Sequence, residues 1–172
     1  MFEANALIEK AKTSKFYLKM LNFTLSRIIP FNRPHAFRVI EINENSIKVS
    51  LPYRRINLNH IRGLHACALA TVSEFSTGLL LLNELDTSKY RIILKNLQMD
   101  YHYQGKMNAI ASYSLSEEWV RENIHLPLED RDSTVVTCKV KVHDVEGNHL
   151  TTGHVHWQIK LWQKVKTPIN ES

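Results

Sequence analysis

The chain is poor in cysteine, glycine and proline. Cys67 and Cys138 are the only cysteines among 172 residues, and they stand in unrelated contexts without metal-ligand spacing. That argues against a disulfide-stapled scaffold or a zinc site, and predicts two buried thiols in a reducing compartment. Five glycines and five prolines are too few for a low-complexity or disordered chain. Lys and Arg are scattered, with no zinc-finger or RNA-binding signature, so nucleic acid is not expected as a partner. The N-terminal stretch MFEANALIEKAKTSKF interleaves acids and bases and has no apolar run ending in a cleavage site. A secretory signal is therefore not expected, and a cytoplasmic location is. Only one long apolar run exists, Leu64–Leu82. It carries Glu74, His65, Gly78 and several hydroxyls and has no aromatic belt, which predicts a core helix rather than a membrane span.

What is present suits one ordinary globular domain, with 44% apolar and 23% charged residues. The formal net charge of +5 favours an anionic partner, and a phosphate-bearing small molecule fits it. Residues 3–29 carry apolar side chains at three- and four-residue spacings, from Leu7 and Ile8 to Ile28 and Ile29, which predicts helix. Lys and Glu stand between them, and a helix docked on the domain fits better than one lying on a membrane. Pro30 and Pro34 end it. Alternation then marks strands in FRVIEI and SIKVSLPY, with a hairpin turn at NENS. A helix is expected from about Gly63 to Leu85. Alternation returns in RIILKNLQMDYHY, MNAIASYSLS, STVVTCKVKVHDV and HLTTGHVHWQIKLW, while EEWVRENIHLPLEDRD reads as a polar excursion of one helical turn and a loop. The boundaries expected are a helical extension over 1–34, a main domain over 35–163 and a tail over 164–172.

A single helix that is apolar all round has to be enclosed. Long antiparallel strands can curl around it, with a second copy of the chain covering what remains. The fold class is therefore α+β. In the last strand His154, His156, Gln158 and Lys160 alternate with Val155, Trp157, Ile159 and Leu161, as one wet face of a sheet requires. His154 and His156 are read as solvated strand residues, and no metal is expected.

Glu74 is the only formally charged side chain between Leu64 and Asn83, and burying a lone carboxylate is costly. At about 100° per residue, Cys67, Thr71 and Gly78 share its face and are small, leaving the carboxylate open to a ligand. Ala66, Ala70, Ser73 and Thr77 form a second small stripe, where something can approach the backbone closely. His65 and Glu74, nine residues apart, point in nearly opposite directions, so they can serve one site only across two copies of the helix. Just after Gly63 the helix start offers free N–H groups, and the N–H of Ala66 can hold an oxygen gaining negative charge. With a carboxylate as nucleophile or general base, these are the parts for hydrolysis of an activated acyl group. The plain alternative is that Glu74 pairs with a cation and His65 only caps the helix.

NHIRGLHACALATVSE resembles the hotdog-fold thioesterases, specifically the phenylacetic-acid-type acyl-CoA thioesterase subfamily. Asn59, the His65–Ala66 pair six residues later and an acid nine beyond the His keep that subfamily's spacing. PFNRPHAF and LPYRRINLNHIRGLHACALATVSE are more similar still to an uncharacterised bacterial branch, domain of unknown function 4442, over roughly residues 30–163. The resemblance implies a hotdog fold, a long antiparallel sheet wrapped around one central helix, with the N-terminal helical extension. It implies Glu74 as nucleophile or general base, Ala66 N–H polarising the thioester carbonyl, His65 supporting that loop, and Asn59 orienting the attacking group. Gly63, Cys67, Thr71 and Gly78 are expected to contact substrate. The family's Gly after the His is Ala66 here, followed by Cys67 in place of a second Gly. Leu94 stands where a helper Ser or Thr often sits.

The implied substrate is an acyl-CoA or related thioester, coenzyme A being part of the substrate rather than a cofactor. Its phosphates suit Arg54, Arg55, Arg62, Lys95 and Lys106. The implied assembly is a homodimer or dimer of dimers. Two other functions stay open. One is a binding protein holding an acyl or lipid ligand without hydrolysis. The other is a hotdog dehydratase or hydratase, although INLNHIRGLHA lacks the Pro-Gly-rich approach those enzymes have.

Overall fold

Six strands, β1 (Arg38–Ile42), β2 (Ser46–Leu51), β3 (Tyr90–Tyr101), β4 (Ala109–Ser114), β5 (Ser133–Asp144) and β6 (His149–Leu161), form one antiparallel sheet in the order β1-β2-β4-β5-β6-β3. The computed structural model describes residues 4–165, so residues 1–3 of the expected extension and nearly all of the expected tail over 164–172 lie outside the described residues. β1 and β2 make the expected hairpin. After the long helix come β3, β4, β5 and β6. The alternation read from the sequence holds in β6, where Val155, Trp157 and Ile159 are buried and the residues between them half-exposed.

The central helix, α3 (Ala66–Glu84), has eleven buried residues and contacts β2 to β6. By length and composition it could cross a membrane, but 61% of its apolar window is packed inside the fold. Its stripe of small side chains has a definite partner. A Cβ placed on Gly153 of β6 would stand 3.1 Å from Ser73 Cβ, and the Trp157 indole N–H donates to Thr77 Oγ1 at 3.0 Å. The close approach that small side chains permit is made by β6.

The N-terminal segment is two helices, α1 (Ala4–Thr13) and α2 (Lys15–Ile28), broken at Ser14. Both dock on the domain. Ile8, Ala11 and Leu21 are buried, and Lys12 bridges Glu9 and Glu44 at 2.6 and 2.7 Å. Asn22 closes the sheet edge: its amide donates to Val39 O and its carbonyl accepts from Val39 N–H, each at 2.8 Å. A side chain thus supplies part of the neighbour that edge strand β1 lacks.

The polar excursion is more helical than its composition suggests. Ser116 caps α4 (Glu117–Val120) through the Trp119 N–H, a π turn follows over Arg121–His125, and α5 (Leu126–Asp130) completes it. Val120, Ile124 and Leu128 are buried at four-residue spacing, a stripe that the surrounding charges and Pro127 obscured. The π turn lies just ahead of Pro127, which has no N–H for an ordinary helical bond.

Three histidines stack beside the β5–β6 turn, with the His149 ring centroid 4.5 Å from His102 and 4.8 Å from His143. Burial, then the neighbouring His102 and His143 charges, hold His149 below the ordinary His value of 6.5. The unfolded chain therefore takes up this proton at higher pH than the folded chain, and stability falls as pH drops through 6.5 toward the depressed folded value. Urea-unfolding midpoints are expected to decline over that window, and His149→Gln to shallow the decline. An unchanged slope in the variant would place the acid sensitivity elsewhere. His154 lies 3.5 Å from Asp100, and His156 hydrogen-bonds Thr137 at 2.9 Å. Among the described residues no group of His, Cys, Asp and Glu has the arrangement of a metal site.

Candidate active site

The approach to α3 is built by Asn59. Its carboxamide oxygen accepts from the N–H groups of Ile61 and Gly63 at 3.1 and 2.9 Å, folding the loop on itself. Gly63 is buried, and a Cβ there would stand 2.8 Å from the Gln104 side chain. Leu64 N–H then donates to Gly105 O, and His65 N–H to Asn57 O, both at 2.8 Å. The resemblance implied that Asn59 orients the attacking group and that Gly63 contacts substrate; within one chain the contacts of both organise the loop.

His65 is the N-cap of α3, its Nδ1 accepting from Cys67 N–H at 3.0 Å. Accepting there leaves the ring proton on Nε2, where it can be donated outward. The Ala66 N–H meets no acceptor among the described residues, while the Ala66 carbonyl accepts from the Tyr101 hydroxyl at 3.1 Å. Both the cap and a free N–H at the helix start are therefore present. His65→Ala is expected to cost about 1 kcal/mol of stability in urea unfolding and His65→Asn much less; equal losses would mean that the ring acts by packing.

Glu74 lines a cavity of about 570 Å³ formed between α3, β3 and the end of α2. Cys67, Thr71 and Gly78 line it too, so one face of α3 brings these four expected residues together. Asn59, Gly63, His65 and Ala66 are not in that lining. Glu74 is half-buried, with no hydrogen-bond or ion-pair partner for its carboxylate among the described residues. Among the described residues no Lys, Arg or His lines the cavity. Burial alone pushes the Glu74 carboxyl above its ordinary value. Pairing of Glu74 with a cation, the plain alternative, is not what this geometry holds.

One expectation changes here. Cys67 is exposed, not buried, because its face of α3 borders the cavity; Cys138 is buried, and burial raises its thiol to about 11. The cavity also takes Leu25, Ile29 and Phe31 from the N-terminal segment and Trp157 from β6. The Trp157 ring lies against Gly78, 2.8 Å from where a Cβ would be. Alternation had placed Trp157 on the dry face, but only the register across the sheet sets it against Gly78. Nothing in residues 1–34 signalled a contribution to the cavity. Leu94, at the helper position, faces the cavity as an apolar wall.

A family model described as a domain of unknown function (DUF4442) matches residues 19–159. The chain belongs to the DUF4442 family. No curated protein matches this DUF4442 chain. Among solved structures, it is similar to a Pseudomonas aeruginosa protein of unknown function named a probable thioesterase. The identity there is 20%, the TM-score 0.76, and 83% of this chain and 95% of that chain are covered. It is also similar to a thioesterase from Haemophilus influenzae at 11% identity and TM-score 0.68, covering 91% and 99% of the two chains. A Staphylococcus aureus thioesterase has 14% identity and TM-score 0.62, over 76% and 98%, and was crystallised as single Gln→Ala and Glu→Ala variants. The sheet of this DUF4442 protein, wrapped around α3, is thus a hotdog fold, as the resemblance implied.

Proposed function

We propose that this DUF4442 protein hydrolyses an acyl-CoA or related thioester, with Glu74 as the catalytic carboxylate. The observation that carries this is a lone carboxylate, without a counter-ion among the described residues, in a mainly apolar cavity whose other polar side chains, Asn32, Cys67 and Thr71, are uncharged or weakly acidic. A cavity of about 570 Å³ is in the range of small-molecule sites. A carboxylate made more basic by burial can draw a proton from water at a pH where ordinary glutamates are weak bases. The water oxygen then adds to the thioester carbonyl, whose oxygen takes the developing charge. The tetrahedral intermediate collapses with loss of the C–S bond, and the thiolate leaves and takes up the proton, giving a carboxylic acid and a free thiol. Direct attack by Glu74, with an acyl–enzyme anhydride opened by water, gives the same products. The spacing adds support. The glutamine and glutamate replaced in the Staphylococcus aureus thioesterase are fifteen positions apart, as are Asn59 and Glu74.

The oxyanion donor in this reading is Ala66 N–H of a second copy, with His65 of that copy supporting the loop. One chain leaves both outside the Glu74 cavity. Strand β3 ends the sheet with β6 as its one neighbour and exposes Ile93 and Leu94, so it offers a full-length edge to another β3. The resulting homodimer, alone or doubled, has two equivalent sites. Arg54, Arg55, Arg62, Lys95 and Lys106 are all exposed, available to the phosphates of coenzyme A.

Leu94 favours a second reading, in which the cavity holds an acyl ligand without cleaving it, because no hydroxyl assists Glu74 from that strand. A panel of acyl-CoA substrates with free-thiol detection separates the two. Thiol release that depends on Glu74 is the expected result. Saturable acyl-CoA binding with no thiol release would replace the first reading by the second.

A further inference from the structure

The N-terminal segment has one apolar face more than the fold uses. On α2, Leu18, Leu21, Asn22 and Leu25 turn inward to the domain. Phe16, Met20 and Phe23, spaced by four and three residues, stand on the opposite face, with both Phe rings more than 60% exposed. A helix of this length is stable with one buried face, and contiguous exposed apolar side chains mark an interaction surface. The charge of the segment is equally one-sided. From Lys10 to Ile40 the sequence contains seven Lys and Arg and no Asp or Glu. Lys12 is neutralised by Glu9 and Glu44, but Lys15, Lys19 and Arg27 are exposed around the apolar face. The Arg27 guanidinium lies 4.9 Å from the Phe23 ring centroid, so base and ring present one mixed surface. Phe31, also exposed, follows three residues after the helix ends.

We propose that α2 and the turn after it dock this protein on an anionic lipid surface. Aromatic side chains at helical spacing, rimmed by Lys and Arg, suit the boundary between headgroups and acyl chains. The rings enter the boundary and the cations meet lipid phosphates. The absence of any acid from Lys10 to Ile40 favours that occupant over a second copy, because a twofold contact through this face would set its cations against themselves. The face lies on the helix that docks on β1, at the opposite end of the strand order from β3. Leu25, Ile29 and Phe31 of the same segment line the Glu74 cavity, so docking brings the rim of that cavity to the lipid. The binding itself does not depend on thioester hydrolysis.

The test is flotation of the full chain with vesicles of phosphatidylcholine alone and of phosphatidylcholine mixed with phosphatidylglycerol. Binding is expected to be about tenfold stronger on the anionic vesicles and to weaken as salt is raised. Phe16→Ser with Phe23→Ser, and separately Lys15→Glu with Lys19→Glu, are each expected to lower it about tenfold. All four residues are exposed, and circular dichroism with an unfolding midpoint reports whether each variant keeps its fold. Equal binding to both vesicle types, no binding to either, or wild-type binding by both folded variants overturns the proposal. So does light scattering in which the Phe substitutions abolish self-association of a chain that ignores vesicles, because the face is then a contact between copies.

Discussion

Glu74→Gln is expected to lower thiol release from an acyl-CoA by at least about a hundredfold and, at neutral pH, to make the protein more stable. The two effects share one cause. Burial without a counter-ion among the described residues raises the Glu74 carboxyl above its ordinary value of 4.5. The folded state therefore holds this proton more tightly than the unfolded state. Stability from the protonated acid is complete below the unfolded value and is lost as pH rises through the higher folded one. Gln cannot ionise, so unfolding midpoints of the variant should exceed those of the parent above the folded value and match them near pH 4. Activity runs the other way. If the carboxylate is the reacting form, kcat/KM falls as pH drops through that same raised value, so the acid limb lies above the range of an ordinary glutamate. A site tuned for chemistry at the expense of stability gives this opposed pair. Full thiol release by Glu74→Gln would remove Glu74 from the mechanism. Loss of both activity and stability would mean that Glu74 supports the fold.

Strand alternation and the one apolar helix made the sheet and its enclosed helix legible, because each expresses a local period. The face of α3 that carries Cys67, Thr71, Glu74 and Gly78 was legible for the same reason. What faces that side of the helix was not. Trp157 reaches Gly78 and Thr77 only through the pairing of β6 with β5 and β3, a register that no local pattern encodes. Leu25, Ile29 and Phe31 enter the cavity because α2 docks on β1 through Asn22, and a polar residue within an apolar stripe reads as noise in a helical pattern. The helical stripe Val120, Ile124 and Leu128 was masked by the charges around it and by Pro127, which a π turn accommodates. Cys67 is not the buried thiol that cysteine usage predicts, because it stands on the Glu74 face of α3, which is open to the cavity.

Lys95→Pro is expected to dissociate the proposed dimer and, with it, to reduce thiol release more than tenfold, on the order of the loss of an oxyanion donor. The register between β3 and β6 skips Lys95: Leu94 pairs with Trp157 and Asn96 with His156. Proline is tolerated at such bulges because no ladder bond to the neighbour is given up. It also stiffens the strand and removes a backbone donor from the edge where another β3 has to pair in the proposed dimer. Each chain would keep its own Glu74 cavity while losing the Ala66 N–H and His65 brought by the other. Lys95 is also among the exposed cations available to coenzyme A, so Lys95→Ala serves as the control and should remain dimeric. Light scattering gives the mass, circular dichroism the fold, and thiol release the consequence. A folded, monomeric Lys95→Pro protein with unchanged turnover would show that one chain contains the whole site, and the shared-site reading would then fail even if Glu74 remained essential.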